Sequence, residues 1–162
     1  MKSRKTLYII IALVAILPLL GEIVSRQVAL RDSMGVSVGM TVEEYRGQFS
    51  EGELLEFHRY GCFVNNMGYP VIVRHDQNAV QDVDIIDVSK IDRSAEGFAK
   101  LEVGMTLQQV GQIVGIPAAN DSEDASVLYY LCTNGKTYML TYQDAGTELT
   151  YVKAEMVKTE EG

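Results

Sequence analysis

Apolar spacing changes character several times along this chain. A run from Thr6 to Gly21, interrupted only by Pro18 and ended by Glu22, carries almost no polar residue. Beyond it, helical spacing alternates with a period of two. Leu107, Val110, Ile113 and Val114 form one stripe, and Gly115-Ile116-Pro117 stops it, which predicts a helix over Thr106–Val114. Val42, Tyr45 and Phe49 share a face in a weaker copy, since Gly47 inside it costs about 1 kcal/mol relative to alanine. After the second helix, Val127–Thr133 and Lys136–Tyr142 alternate around Asn134-Gly135, a hairpin signal because both turn positions tolerate positive φ, and Glu148–Val157 extends the meander. After the first, Leu54–Val64 and Tyr69–His75 flank Asn65-Asn66-Met67-Gly68, and Val80–Val88 supplies the third strand.

The entries to the two helices are near-copies. Val38-Gly39-Met40-Thr41-Val42-Glu43-Glu44 returns 65 residues later as Val103-Gly104-Met105-Thr106-Leu107-Gln108-Gln109. Thr41 with Glu44, and Thr106 with Gln109, satisfy the capping box, in which hydroxyl and acidic or amide side chain each take an orphan N–H of the first turn. Gly39 and Gly104 suit a tight turn into the helix. The expected fold is therefore α+β: an N-terminal membrane helix, then two tandem helix-plus-antiparallel-sheet repeats forming one two-layer domain. The divisions fall at 1–31 (signal anchor and juxtamembrane stretch), 32–90 (repeat 1) and 91–162 (repeat 2).

Charge and the N-terminus set the compartment. Lys2, Arg4 and Lys5 precede the apolar run, as in a membrane-targeting segment. Its length lies between a signal-peptide core and an anchor, so residues 6–24 predict a single pass with the C-terminal domain extracytoplasmic, or else a cleaved signal and secretion. Residues 1–31 hold five basic side chains (Lys2, Arg4, Lys5, Arg26, Arg31) against Glu22, a net of +4, so with −8 over the whole chain the remainder carries −12. A domain this acidic repels nucleic acid and anionic headgroups. The expected partner is an envelope or secreted protein.

The segment Phe98-Ala99-Lys100-Leu101-Glu102-Val103-Gly104-Met105-Thr106-Leu107-Gln108-Gln109-Val110 resembles the repeat of the β-lactamase inhibitory proteins and of the BamE/SmpA envelope lipoproteins. The resemblance implies a two-layer α+β module. In the inhibitors, two such units form one curved sheet that grips a partner; the BamE type is an accessory subunit of an outer-membrane assembly machine. This chain departs from both. It has no cysteine before Cys62, where the BamE type is lipidated, and one cysteine per unit, where the inhibitors have a disulfide in each. Cys62 and Cys132 therefore form either one bridge between units, worth about 4–5 kcal/mol in the chain-entropy model, or two buried free thiols.

Chemistry for catalysis is sparse. Pairing centred on Asn66-Met67 sets His58 opposite His75, but Cys62 on the same face lies about 13 Å along the strand from His58, too far to share a metal. No nucleophile elbow, zinc-hydrolase or phosphate-loop motif is present, so neither an enzyme nor a cofactor is expected. The aromatic residues are the better candidates. Pairing centred on Asn134-Gly135 projects Tyr129, Tyr138 and Tyr142 to one face with Leu131 and Leu140, and the following turn adds Tyr151. That face is either a partner-binding surface of stiff, amphipathic side chains or the side against the helix. The expectation is a non-enzymatic envelope protein that binds its partner through the sheet, with a small-molecule-sensing or purely structural ectodomain as the alternative.

Overall fold

Two helix entries and two sets of alternating strands become two separate sheets. The computed structural model describes residues 21–28, 31–146 and 148–157. Sheet 1 contains β1 (Leu55–Phe57), β2 (Tyr60–Val64), β3 (Pro70–His75) and β4 (Val80–Ile85); sheet 2 contains β5 (Ala119–Asn120), β6 (Val127–Leu131), β7 (Thr137–Asp144) and β8 (Leu149–Met156). Both are antiparallel and ordered as in the chain. The helices are short: α1 (Val42–Arg46), α2 (Ala95–Phe98) and α3 (Leu107–Val114), with a 3-10 turn at Val88–Lys90 and a helical stretch at 21–28.

The repeated Gly-Met-Thr has a structural task in each half. Thr41 Oγ1 accepts the Glu44 N–H at 3.2 Å while the Glu44 carboxylate accepts the Thr41 N–H at 3.1 Å, and Thr106 and Gln109 repeat the exchange at 3.3 and 2.8 Å. Ahead of each cap, Gly39 (φ 89°) and Gly104 (φ 91°) turn the backbone into the left-handed region that glycine alone enters freely. The turn lays the segment on the edge of the last strand. Gly39 N–H donates to Val80 O and Val80 N–H to Met40 O, both at 2.8 Å; Gly104 donates to Tyr151 O and Tyr151 to Met105 O, at 2.9 and 2.8 Å.

The ladders match residue for residue. In sheet 1, Cys62 pairs with Ile72 and Ile72 with Asp84; in sheet 2, Tyr129 pairs with Met139 and Met139 with Glu155. Each sheet has an irregularity at the same rung, between Arg74 and His75 and between Thr141 and Tyr142. Just past β4, Ile86 N–H donates to Pro70 O at 2.8 Å, and just past β8, Val157 N–H donates to Thr137 O at 2.9 Å.

What differs is the covering of the faces. On one face of sheet 1, Phe63, Val71, Val73 and Val80 pack with Val36 and with Tyr45 of α1. On its other face Phe57, Tyr60, Cys62, Ile72 and Ile86 join a larger core containing Leu107, Val110 and Val114 of α3 together with Leu128, Tyr130, Leu140, Tyr142, Leu149 and Tyr151 of sheet 2. The apolar side of α3 thus fills the angle between the sheets. Gly111 makes the approach possible, since a methyl there would lie 2.6 Å from Ile72 Cδ1 and 3.0 Å from Ile86 Cδ1. Tyr60 Oη adds a polar tie by accepting the Leu149 N–H at 3.3 Å.

This architecture corrects the expected one. The chain does not form one two-layer α+β domain; it forms two four-stranded antiparallel sheets with few, short helices, and one helix serves both sheets. Among the described residues no helix is long and apolar enough to cross a membrane, so the expected N-terminal membrane helix is not found. Most of that segment, 6–24, lies outside the described residues. In the helical stretch that follows, Arg26 pairs with Asp87 and donates to Ser89 Oγ at 2.9 Å.

Candidate protein-binding face

Sheet 2 presents one face to the core, and among the described residues nothing covers the other. The hairpin between β6 and β7 decides which residues go where. Cys132 N–H donates to Lys136 O at 2.8 Å and Gly135 N–H to Cys132 O at 3.1 Å, with Gly135 at φ 79°. This is a type I turn closed by a glycine bulge, one residue longer than the two-residue turn that Asn134-Gly135 predicts. One added residue shifts the register by one and moves every side chain of a strand to the opposite face relative to its partner. Leu131 pairs with Thr137, Tyr130 with Tyr138 and Tyr129 with Met139.

The four tyrosines therefore do not share a face, contrary to expectation. Tyr138, Tyr142 and Tyr151 turn inward: Tyr138 stacks on Phe98 with ring centroids 4.4 Å apart, and Tyr142 and Tyr151 are buried. Tyr142 shares a 3.0 Å hydrogen bond with Tyr130, and burial pushes both hydroxyls well above the ordinary tyrosine range. Tyr129 lies on the open face, where its hydroxyl donates to Asp121 at 2.9 Å; that bond raises the Tyr129 pKa and lowers that of Asp121, already held down by backbone N–H donors. Around Tyr129 stand Val127, Leu131, Met139 and Val157, with Lys153 paired to Glu155 at 3.0 Å on the rim. Leu131 is 52% and Val157 42% exposed. A two-residue turn would put Met139 on the face opposite Tyr129; the glycine at the end, not the centre, of the turn brings the two together.

The first hairpin behaves alike. Asn65 N–H donates to Tyr69 O at 2.9 Å and Gly68 (φ 82°) to Asn65 O at 3.0 Å, so the register again moves by one. The expected strand Leu54–Val64 is broken at His58 (φ 50°) and Arg59, which turn β1 back onto β2. His58 is consequently not opposite His75; it sits exposed in that turn. His75 is buried, with Nδ1 2.9 Å from Asp76 O and Nε2 3.3 Å from Glu56 Oε1, a carboxylate that Arg46 also holds at 2.6 Å. Among the described residues no group of His, Cys, Asp and Glu could hold a metal ion. Cys62 and Cys132 are both buried and free, and burial raises both thiols. No disulfide joins the two halves.

One further concavity, about 430 Å³, opens beside β2 and is lined by Phe49, Leu55, Cys62, Phe63 and Ile116, with Glu53 at its margin.

Residues 93–160 match the family model described as the outer membrane protein assembly factor BamE domain. That stretch is similar to the BamE domain. It is under half of the chain and contains α2, α3 and the whole of sheet 2, including the open face. No match to a β-lactamase inhibitory protein accompanies it. No curated protein and no solved structure matches the chain.

Proposed function

We propose that this chain is a non-enzymatic protein-binding module of the bacterial cell envelope, divided into 32–90 and 91–162. It binds an envelope protein through the open face of sheet 2, in the manner of an assembly accessory. The observation that carries the reading is the coincidence of the BamE-like stretch with an apolar sheet face that no other described residue covers. Tyr129, Leu131 and Met139 supply the contact; Tyr138, Tyr142 and Tyr151 hold the interior beneath it. Stiff aromatic and soft thioether side chains on a rigid sheet provide contact area at small entropic cost. The test is capture of the full chain from its native envelope fraction alongside Leu131→Lys. We expect one stoichiometric envelope protein to be lost in the variant while thermal unfolding is unchanged, because Leu131 is half out of the fold already. Persistence of the same protein in the variant would overturn the assignment to this face.

A second reading, small-molecule sensing, draws on the concavity beside β2. Its phenylalanines and leucine suit an apolar ligand, and its volume falls in the range of small-molecule pockets. An apolar fluorophore displaced by envelope extracts, with the signal lost in Phe63→Ala, would favour it.

A further inference from the structure

The chain contains, within itself, an occupied version of its own open face. Rung for rung, Ile72 of sheet 1 stands where Met139 stands in sheet 2, and Ile86 stands where Val157 stands, each of the latter pair donating its N–H across to the start of the third strand. Ile72 and Ile86 are 1% and 0% exposed because α3 lies on them with Gly111 at the crossing. Met139 is half-buried and Val157 exposed, with no element of the described residues over them. Towards the strand rim the two faces remain alike, with Asp84 opposite Ile72 and Glu155 opposite Met139.

Resting on the binding face proposed above, we infer that the Met139–Val157 seat takes an amphipathic helix from an envelope protein, laid down as α3 lies on sheet 1, with a glycine or alanine at the closest approach. Apolar residues three and four apart on that helix reach Tyr129 and Leu131. The small residue repeats the crossing on sheet 1, where a methyl at Gly111 would lie 2.6 Å from Ile72 Cδ1. The α1 helix of a second copy does not supply the docked helix. Five residues beyond the cap, where α3 has Gly111, α1 has Arg46, bound to Glu56 at 2.6 Å, and its outward surface also carries Glu43 and Glu44. Docking α1 on an apolar seat buries these charges, which is prohibitive without partners. The stack therefore closes at α1 and stays open at sheet 2.

The test places a photoreactive amino acid at Met139, at Val157 and, as a control, at exposed Glu51 in the full chain within its native envelope, and maps the adducts to residues of the partner. We expect adducts from Met139 and Val157, absent from Glu51, in one partner segment with sites three or four residues apart and a glycine or alanine between them. Sites two residues apart, marking an extended strand, would overturn the helix while leaving a sheet-face binding module intact. Adducts to a second copy of this chain would overturn the assignment to a different envelope protein. No adduct at either position, with the variants folded, would remove the binding face and the helix together.

Discussion

Sheets 1 and 2 are one pattern of pairing placed in two environments. They share strand order, register, the rung of their irregularity and the main-chain docking of Gly-Met-Thr, yet the described residues cover sheet 1 on both faces and sheet 2 on one. The difference shows in residues at the same rung. Cys62 and Ile72 are almost wholly buried, whereas Tyr129 and Met139 are half-buried. Hydrogen-bonding pattern alone does not decide what a sheet face does; the neighbour laid upon it does.

The sharpest test of the comparison lies under the two helices. Gly61 of sheet 1 and Leu128 of sheet 2 occupy the same rung; Tyr45 lies against the first, and Val110, at the matching helix position, shares a core with the second. A methyl at Gly61 would overlap the hydroxyl of Tyr45, a fully buried side chain. Gly61→Ala is expected to cost about 3 kcal/mol or more, by overpacking. Tyr45→Val/Gly61→Leu, which installs the sheet 2 pair, should fall short of the summed single costs by about 1–3 kcal/mol in chemical denaturation, the coupling of residues in contact. Additive costs would mean that the two halves are not packed on one plan.

Next in size is truncation at a shared rung. Ile72→Ala should lose about 2–5 kcal/mol, while Met139→Ala should lose about 1 kcal/mol or less, since one side of Met139 faces water. Equal losses would show that something in the chain covers sheet 2 after all. Removing the caps should be more even-handed: Thr41→Ala and Thr106→Ala are each expected to cost about 1 kcal/mol, read as a fall in melting temperature.

The smallest effect belongs to the connector ahead of α3. Asp92 accepts from Lys100 Nζ at 2.8 Å and from Ser94, and these bonds, the Lys100 one foremost, hold its carboxyl at a pKa of about 2. A carboxylate with a depressed folded pKa contributes stability above its unfolded value, about 3.9, and loses it as pH falls through the folded value. The melting temperature of Asp92→Asn should thus lie below the parent's at pH 5 and approach it as pH falls towards 2. A gap that stays constant over that range would show that the Asp92 charge has no part in joining the halves.

Much of the local structure could be read from residue order. Thr41 and Thr106 start helices, Val114 ends one, and both hairpins turn where Asn and Gly cluster, because caps and turns are specified by residues within a few positions. The faces could not be read so easily. Gly68 and Gly135 fit a two-residue turn and a bulged turn equally well on composition, and the choice between them reverses the side on which Tyr129 and Met139 emerge. Nor does any local signal at His58 announce a break between β1 and β2: a non-glycine residue at φ 50° is held there by the pairing of Phe57 with Tyr60. The service of α3 to both sheets is long-range, and its one trace in the sequence is Gly111 in a helix that otherwise has no use for glycine.

Gly-Met-Thr has a consequence beyond starting helices. The last strand of a sheet is an unpaired template on which a foreign chain can add itself. Here each half seals the first residues of its own last strand with two main-chain bonds from a segment of the same half, so the barrier to misassembly is written in backbone. Side chains at Met40 and Met105 are free to change without opening it, whereas a proline at Gly39 or Gly104, lacking the donor, would leave a gap through which aggregation begins.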